Sequence, residues 1–233
     1  QQIVGGDTCY SVLGNSWSSP SVTNRLFGAT ILGDSTTNYP LSDIDAYYGT
    51  LYVAVRGSSG SQGPRSPINA SNSTSAGTLA WGNLGNIGSS NNTYATRAMS
   101  GSQATNYLRA SNFGFNIPDG ATILGIEARI ERSRTSGGGP SNNIIDSEVK
   151  IVKADGTVGS TNKALGTSWP TSDTVASYGG TADRWGEEWT AREINDSDFG
   201  IVLSARGAVV SGGANRTAQV DHMTVTVTYI PQF

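Results

Sequence analysis

Apolar and polar residues alternate one by one along several stretches of this chain, the period of a β-strand with one buried face. The clearest stretches are Ile126–Glu131, Phe199–Arg206 and Val220–Ile230. Thirty glycines and many Ser, Thr and Asn residues separate such stretches, as expected of turns between short strands. No stretch of ordinary helix length has an apolar face with a 3.6-residue period. We therefore predict an all-β protein, an antiparallel β-sandwich.

Two local structures follow from particular residues. In Phe113–Arg132, two alternating stretches flank Pro118-Asp119-Gly120, which is typical of a turn, so we predict an antiparallel strand–turn–strand unit. Thr190 stands three residues before Glu193, the spacing of a capping box, and predicts one helical turn.

The chain divides into an arm and a sandwich. Residues 1–25 are mostly irregular and predict an N-terminal arm that engages a neighbouring subunit. Residues 26–233 predict the β-sandwich, with a loop boundary at residues 57–77, where Gly, Ser and Asn leave hardly an apolar residue.

Charge and composition limit the classes of partner that this chain can bind. The net charge is −3 and the arginines are scattered, which gives no nucleic-acid footprint. No apolar run approaches the ~18 residues of a membrane span. The chain starts with Gln1, as expected of a processed secreted chain. We expect an extracellular, cell-surface or virion-surface protein, and N-glycosylation in a glycosylating secretory route at Asn69, Asn72, Asn91, Asn195 and Asn215.

Residues from about 80 to the C terminus also carry an ordered set of short motifs. The set resembles a jelly-roll-like module of bacteriophage structural proteins and bacterial surface proteins. The resemblance implies a jelly-roll-like sandwich on a secreted or virion surface, without a catalytic motif. Its matching pieces are Trp81-Gly82-Asn83-Leu84, Tyr94-Ala95-Thr96, Asn106–Ile123, Glu127–Arg132, Trp189-Thr190, Asp198–Val202 and Asp221–Tyr229.

Two pairs of aspartates have the spacing of neighbouring oxygen ligands. Asp43 and Asp45 form one pair, and Asp196 and Asp198 the other. In a loop, either pair could bind Ca²⁺, the one cofactor that the sequence suggests. Neither pair is followed by the glycine and distal Glu of a calcium hand, so solvated turn aspartates are the alternative.

The sequence gives no catalytic constellation. Glu187 and Glu188 suggest a glycosidase, which needs two carboxylates across the scissile bond. Neighbouring strand residues point to opposite faces, however, so Asp183 or another carboxylate would have to be the partner. The single histidine, His222, lies in the polar register of the last strand without a Ser or Cys nucleophile beside it. We expect no enzyme.

Tryptophans offer another kind of surface. Core anchoring is the default for the five tryptophans, but Trp169 and Trp185 lie in polar stretches. Exposed there, they could stack on glycans or pack in a subunit contact.

Two functions remain open. The first is a non-enzymatic structural subunit that assembles with copies of itself into an extracellular filament or a virion surface by exchange of strands or arms. The assembly arm would include Gln1, Gln2, Ile3 and Val4. The second is a carbohydrate-binding β-sandwich module with exposed aromatic residues.

Overall fold

The computed structural model describes residues 59–135, 142–209 and 215–232, and the backbone of two short strands before them. The chain divides into two compact units between Ser58 and Ser59. In the first unit, β1 (Leu26–Phe27) and β2 (Tyr39–Pro40) form an antiparallel pair. The predicted arm lies outside the described residues.

The second unit is an antiparallel β-sandwich, as the alternation predicts. A five-stranded sheet has the order β3-β11-β7-β9, with β5 also paired to β11, and a four-stranded sheet has the order β4-β6-β10-β8. The strands are β3 (Gly60–Arg65), β4 (Asn69–Ser73), β5 (Ala95–Met99), β6 (Tyr107–Ser111), β7 (Thr122–Arg134), β8 (Asn142–Val152), β9 (Thr174–Gly179), β10 (Gly200–Val209) and β11 (Arg216–Ile230).

Consecutive strands from β3 to β11 alternate between the two sheets, so every connection crosses the sandwich. Among these nine strands, hydrogen-bonded neighbours are therefore never consecutive in the chain, which gives the predicted jelly-roll-like arrangement. Strand β11 is the centre of the larger sheet, because it pairs with β3, β5 and β7.

The core lies between the sheets. Met223, Val225 and Val227 of β11 are fully buried, whereas Thr224 and Thr226 between them are half-exposed. This confirms the period-two interpretation of the last strand. The predicted capping box is also confirmed: Thr190 caps the short helix α1 (Ala191–Asn195), and the side chains of Thr190 and Glu193 bond each other's backbone. A 3₁₀ helix covers Leu84–Ile87.

The strand–turn–strand prediction for Phe113–Arg132 is wrong in its first half. Only β7 forms there, and residues 113–117 cross from one sheet to the other without a strand ladder. Their alternation has another cause: Phe113, Phe115 and Ile117 all enter the core. The ring centroids of Phe115 and Phe199 lie 6.0 Å apart, in an edge-on arrangement.

Side-chain amides replace the missing ladder. Asn195 accepts a hydrogen bond from the Ile117 N–H at 2.7 Å and donates one to the Ile117 carbonyl at 2.9 Å. Gln62 pairs in the same way with the backbone of Asn116, at 3.0 and 2.6 Å. The N–H and carbonyl groups of Asn116 and Ile117 are thus hydrogen-bonded without a neighbouring strand.

The loop predicted across residues 57–77 is also wrong, because β3 and β4 lie in it. The domain boundary predicted there stays a prediction. Both are edge strands, each bonded to one neighbour. An edge strand with a solvated face needs few apolar side chains, so its composition resembles a loop.

Candidate functional surfaces

The carboxylates that suggested a glycosidase form ion pairs with three different cations. Glu187 lies 3.2 Å from Lys153 Nζ, Glu188 lies 2.7 Å from Arg184 Nη1, and Asp183 lies 2.6 Å from Lys163 Nζ.

Burial opposes ionisation of Asp183. Its hydrogen bonds with Lys163 and with the N–H of Trp185 nevertheless lower the pKa of Asp183 below its ordinary value. Each of these three carboxylates is therefore part of a salt bridge with a different side chain.

The aspartate pairs have different positions relative to the described residues. Asp43 and Asp45 lie outside them. Asp196 accepts a hydrogen bond from the N–H of Asp198, and the Asp198 carboxylate lies 3.2 Å from Arg109 Nη2. No group of three or more His, Cys, Asp or Glu in the described ranges is arranged to hold a metal ion.

Trp169 and Trp185 are buried, with exposed fractions of 1% and 0%. The prediction that these two side chains form an exposed stacking surface is wrong. The indole N–H of Trp185 donates to the carbonyl of Ile126, and Lys163 Nζ lies 5.3 Å from the Trp185 ring centroid. Both rings therefore anchor crossing loops to the core, and the polar residues around them in the sequence are the outer side of those loops.

Trp169 belongs to a buried polar network. The carboxylate of Asp146 accepts hydrogen bonds from the indole N–H of Trp169 at 2.7 Å, from Tyr178 Oη at 2.8 Å and from the N–H of Leu165 at 2.9 Å. Arg132 Nη2 lies 3.5 Å from the same carboxylate, and its guanidinium stacks 4.8 Å from the Trp169 ring centroid. Burial and the nearby Asp146 charge raise the pKa of Tyr178 well above its usual range. This network joins the two sheets.

The glycosylation motifs fall into two groups. Asn72 donates to the carbonyl of Trp81 and accepts from its N–H, both at 2.9 Å, and Asn195 holds Ile117 likewise. A glycan on either amide nitrogen would displace a structural hydrogen bond, so Asn72 and Asn195 are poor acceptors. Glycosylation stays a prediction at the exposed residues Asn69, Asn91 and Asn215.

Among the described residues, nothing pairs with the outer edge of strand β9 in the larger sheet. It pairs with β7 along one side, and Thr174, Val175, Ser177 and Gly179 are exposed. Val175 is 43% exposed, unusual for a large apolar side chain in a strand. The strand contains neither a charge nor a proline. Charged residues and prolines are two features by which natural edge strands avoid pairing with other chains.

The other described edges are occupied or interrupted. Along β5, Thr96 and Gly82 exchange backbone hydrogen bonds. Along β8, the N–H groups of Gly159, Lys163 and Trp169 donate to strand carbonyls at 2.7–2.9 Å. Strand β3 contains Pro64, and Asn72 of β4 holds the backbone of Trp81 at its flank.

A depression of about 200 Å³ lies on the outer face of the five-stranded sheet. Register places His222 opposite Glu131 and Thr224 opposite Arg129 on its floor. Pro64 and Val175 form its sides, and Ser66 Oγ lies 2.8 Å from His222 Nε2.

A second groove of about 340 Å³ lies between the 119–123 turn and residues 184–192. Two of its charged side chains, Arg184 and Glu188, pair with each other.

Sequence reasoning missed the first depression as a unit. Alternation placed Arg129 and Glu131 on one solvated face and His222 in the polar register of β11. Nothing local indicated that β11 lies beside β7, because about 90 residues separate them in the chain.

Tyr94 contacts Asp173, the residue that precedes β9. Its hydroxyl donates to Asp173 at 2.7 Å, and this hydrogen bond, with burial, raises the pKa of Tyr94 to about 12.

Within the described residues, no helix is long and apolar enough to cross a bilayer. The assembly residues Gln1, Gln2, Ile3 and Val4 lie outside those residues.

No protein-family model and no curated protein matches this chain. Among solved structures, the chain is similar to one named "BiXyn10A CBM1 APO", with 10% identity and a TM-score of 0.29 over 72% of this chain and 99% of that one. It is also similar to a chain in the structure of the infectious bursal disease virus Gx strain, with 14% identity and a TM-score of 0.27. That match covers 60% of this chain and 32% of the viral one. At these scores the assignment to the β-sandwich class rests on the sheets themselves.

Proposed function

We propose that this protein is a non-enzymatic structural subunit that assembles with copies of itself. The observation that carries the proposal is the edge of β9, which has no charge and no strand partner among the described residues. An edge strand presents a row of unpaired N–H and C=O groups, which is a template for an added strand. Strand addition obtains affinity from the backbone and register from alternate side chains, so it suits a subunit that must repeat one contact many times.

The strand that would fill this edge comes from a neighbouring subunit. We assign that role to the N-terminal arm, residues 1–25, whose start includes Ile3 and Val4. A contact from the arm of one copy to β9 of the next is head-to-tail. Such a contact builds an open filament, unless its rotation closes into a ring. An extracellular filament or a virion surface is the setting that we propose.

The ion pairs argue against one catalytic alternative, the glycosidase pair. Glu187, Glu188 and Asp183 each have their own cation, so the geometry offers no free carboxylate pair at that place. The burial of Trp169 and Trp185 takes away the aromatic platforms of the alternative, a carbohydrate-binding module.

The first test is electron microscopy of the native material in negative stain. Filaments, rings or virion-attached particles are expected, and uniform monomers would contradict the proposal. Deleting residues 1–12 should leave a folded monomer, and polymers of the shortened chain would rule out the arm.

A point substitution tests the acceptor edge separately. Val175→Lys places a charge on β9, which should block strand addition and leave folded monomers. Thr226→Lys adds the same charge to the same face of the sheet, but on the central strand β11, and should still assemble. If Val175→Lys assembles as well as Thr226→Lys, β9 is not the docking edge.

A further inference from the structure

The depression on the outer face of the five-stranded sheet has a set of polar groups that the fold leaves unused. The side chains of Arg129 and Glu131 form no hydrogen bond or ion pair with the other residues that the structure describes. By contrast, Glu187 and Asp183 elsewhere on the surface have cationic partners. Other described charges, such as Arg192 and Arg206, also lack such partners, so what distinguishes this face is that charges of both signs lie together in one depression.

The sheet register sets the spacing of these groups. Arg129 and Glu131 stand two residues apart on β7, which is about 7 Å along a strand. His222 lies across from Glu131 and Thr224 across from Arg129, with cross-strand Cβ distances of about 5 Å. Four polar side chains thus form the corners of a rectangle that a single small ring can cover.

The imidazole of His222 is held in place from one side. Its Nε2 lies 2.8 Å from Ser66 Oγ, and its Nδ1 makes no hydrogen bond with the described residues. Pro64 and Val175 face each other across the floor from opposite sides of the depression. Two apolar sides and a polar floor suit a ligand with C–H groups at its rim and hydroxyl groups beneath.

The charges select the class of ligand. A phosphate or sulfate would be attracted by Arg129 and repelled by Glu131, and a cation would meet the reverse. Hydroxyl groups both donate and accept, so they satisfy a guanidinium, a carboxylate, a threonine and an imidazole together. We propose that this depression binds a neutral saccharide, one monosaccharide unit deep, through Arg129, Glu131, Thr224 and His222.

The volume fits this size of ligand. About 200 Å³ is below the ~300 Å³ at which pockets for drug-sized molecules begin. A monosaccharide at the ordinary efficiency of small ligands binds with a Kd of about 1 mM. The proposal does not depend on self-assembly, and it uses none of the tryptophans that sequence analysis considered.

The test is a titration of the folded full chain, followed by NMR, with D-glucose, D-galactose, D-mannose and N-acetyl-D-glucosamine in turn. At least one of these sugars should shift the ring resonances of His222, with a Kd of about 1 mM. The same titration with inorganic phosphate should leave them unchanged. Phosphate binding at the site, or no response to any of the four sugars, would overturn the proposal.

Substitutions inside and outside the depression test whether the sugar binds there. Arg129→Leu and Glu131→Gln should each weaken binding by roughly tenfold or more, because each removes a charge-assisted hydrogen bond. Glu127→Gln is the control, since Glu127 lies on the same strand and face but does not line the depression. Equal loss from Glu127→Gln and Glu131→Gln would overturn the assignment. Backbone resonances away from the face report in each variant whether the fold is kept.

Discussion

Replacing one buried carboxylate should destabilise the whole sandwich. Asp146→Asn keeps the size of the side chain, so it opens no cavity, but it removes the charge opposite Arg132. Asp146 and Arg132 are both 3% exposed, so water cannot compensate for the loss. Removing one partner of a buried pair costs about 3–5 kcal/mol. A single domain has only about 5–15 kcal/mol of stability, so the effect is large.

The geometry indicates where that energy comes from. The carboxylate accepts from Trp169, Tyr178 and Leu165, and an amide has one oxygen to offer in place of two. At least one of these donors is left without an acceptor, and Arg132 keeps its charge in the interior. The guanidinium still lies over the Trp169 ring, but a cation–π contact of about 1–2 kcal/mol does not replace a carboxylate.

Urea unfolding followed by tryptophan fluorescence measures the change. With an m value of about 2 kcal/mol/M, a loss of 4 kcal/mol lowers the midpoint by about 2 M urea. Asp155→Asn is the control, because Asp155 is exposed and accepts only from Thr157 within its own turn. It should change stability by less than ~1 kcal/mol.

A double variant tests the cause. In Arg132→Met with Asp146→Asn, the stranded cation is gone, so the two losses should not add. We expect a coupling energy of about 1–3 kcal/mol. If the losses are additive, or if Asp146→Asn costs no more than Asp155→Asn, then charge neutralisation is not what Asp146 contributes.

Three further changes probe other contacts. Asn195→Ala leaves the buried N–H and carbonyl of Ile117 unbonded and should cost about 2–4 kcal/mol in urea unfolding, whereas a loss below ~1 kcal/mol would show that water takes over. Asp173→Asn should lower the pKa of Tyr94 from about 12 towards 10, seen as tyrosinate absorbance appearing at lower pH, and an unchanged titration would contradict the role of Asp173. The raised pKa also means that the stability contributed by neutral Tyr94 is complete below about pH 10 and is lost as the pH rises towards 12. Thr190→Ala should cost about 1 kcal/mol through loss of the helix cap, and an unaltered urea midpoint would speak against the capping box.

The sheet faces could be predicted because their signal is local. Along β11, the alternation of Val225 and Val227 with threonines predicts which face of the strand is buried, and the structure confirms it. The same pattern in Phe113–Ile117 misled, because a crossing segment can also send every second residue into a core. Period two reports on burial, and it does not report on whether a neighbouring strand is present.

The candidate surfaces could not be predicted, since each depends on contacts between distant segments. Trp185 stands in a polar stretch, yet its ring is fully buried against Ile126, 59 residues earlier. Likewise, His222 meets Glu131 only through the pairing of β11 with β7. Composition within a window records the solvated side of a loop as strongly as its anchored side, so it cannot separate an exposed aromatic ring from a buried one.

Side-chain amides of Asn and Gln have a structural role in this fold, because they bond the backbone of segments outside the strand ladders. Because every connection from β3 to β11 changes sheets, many backbone groups leave one ladder before they reach the next. Asn72, Gln62 and Asn195 each present a carbonyl and an NH₂ group to one residue's backbone, as a strand neighbour would. A side-chain amide is the smallest group that offers both a donor and an acceptor in one plane. These amides therefore keep the backbone of Trp81, Asn116 and Ile117 hydrogen-bonded outside a strand ladder, and aspartate, which only accepts, could not replace them.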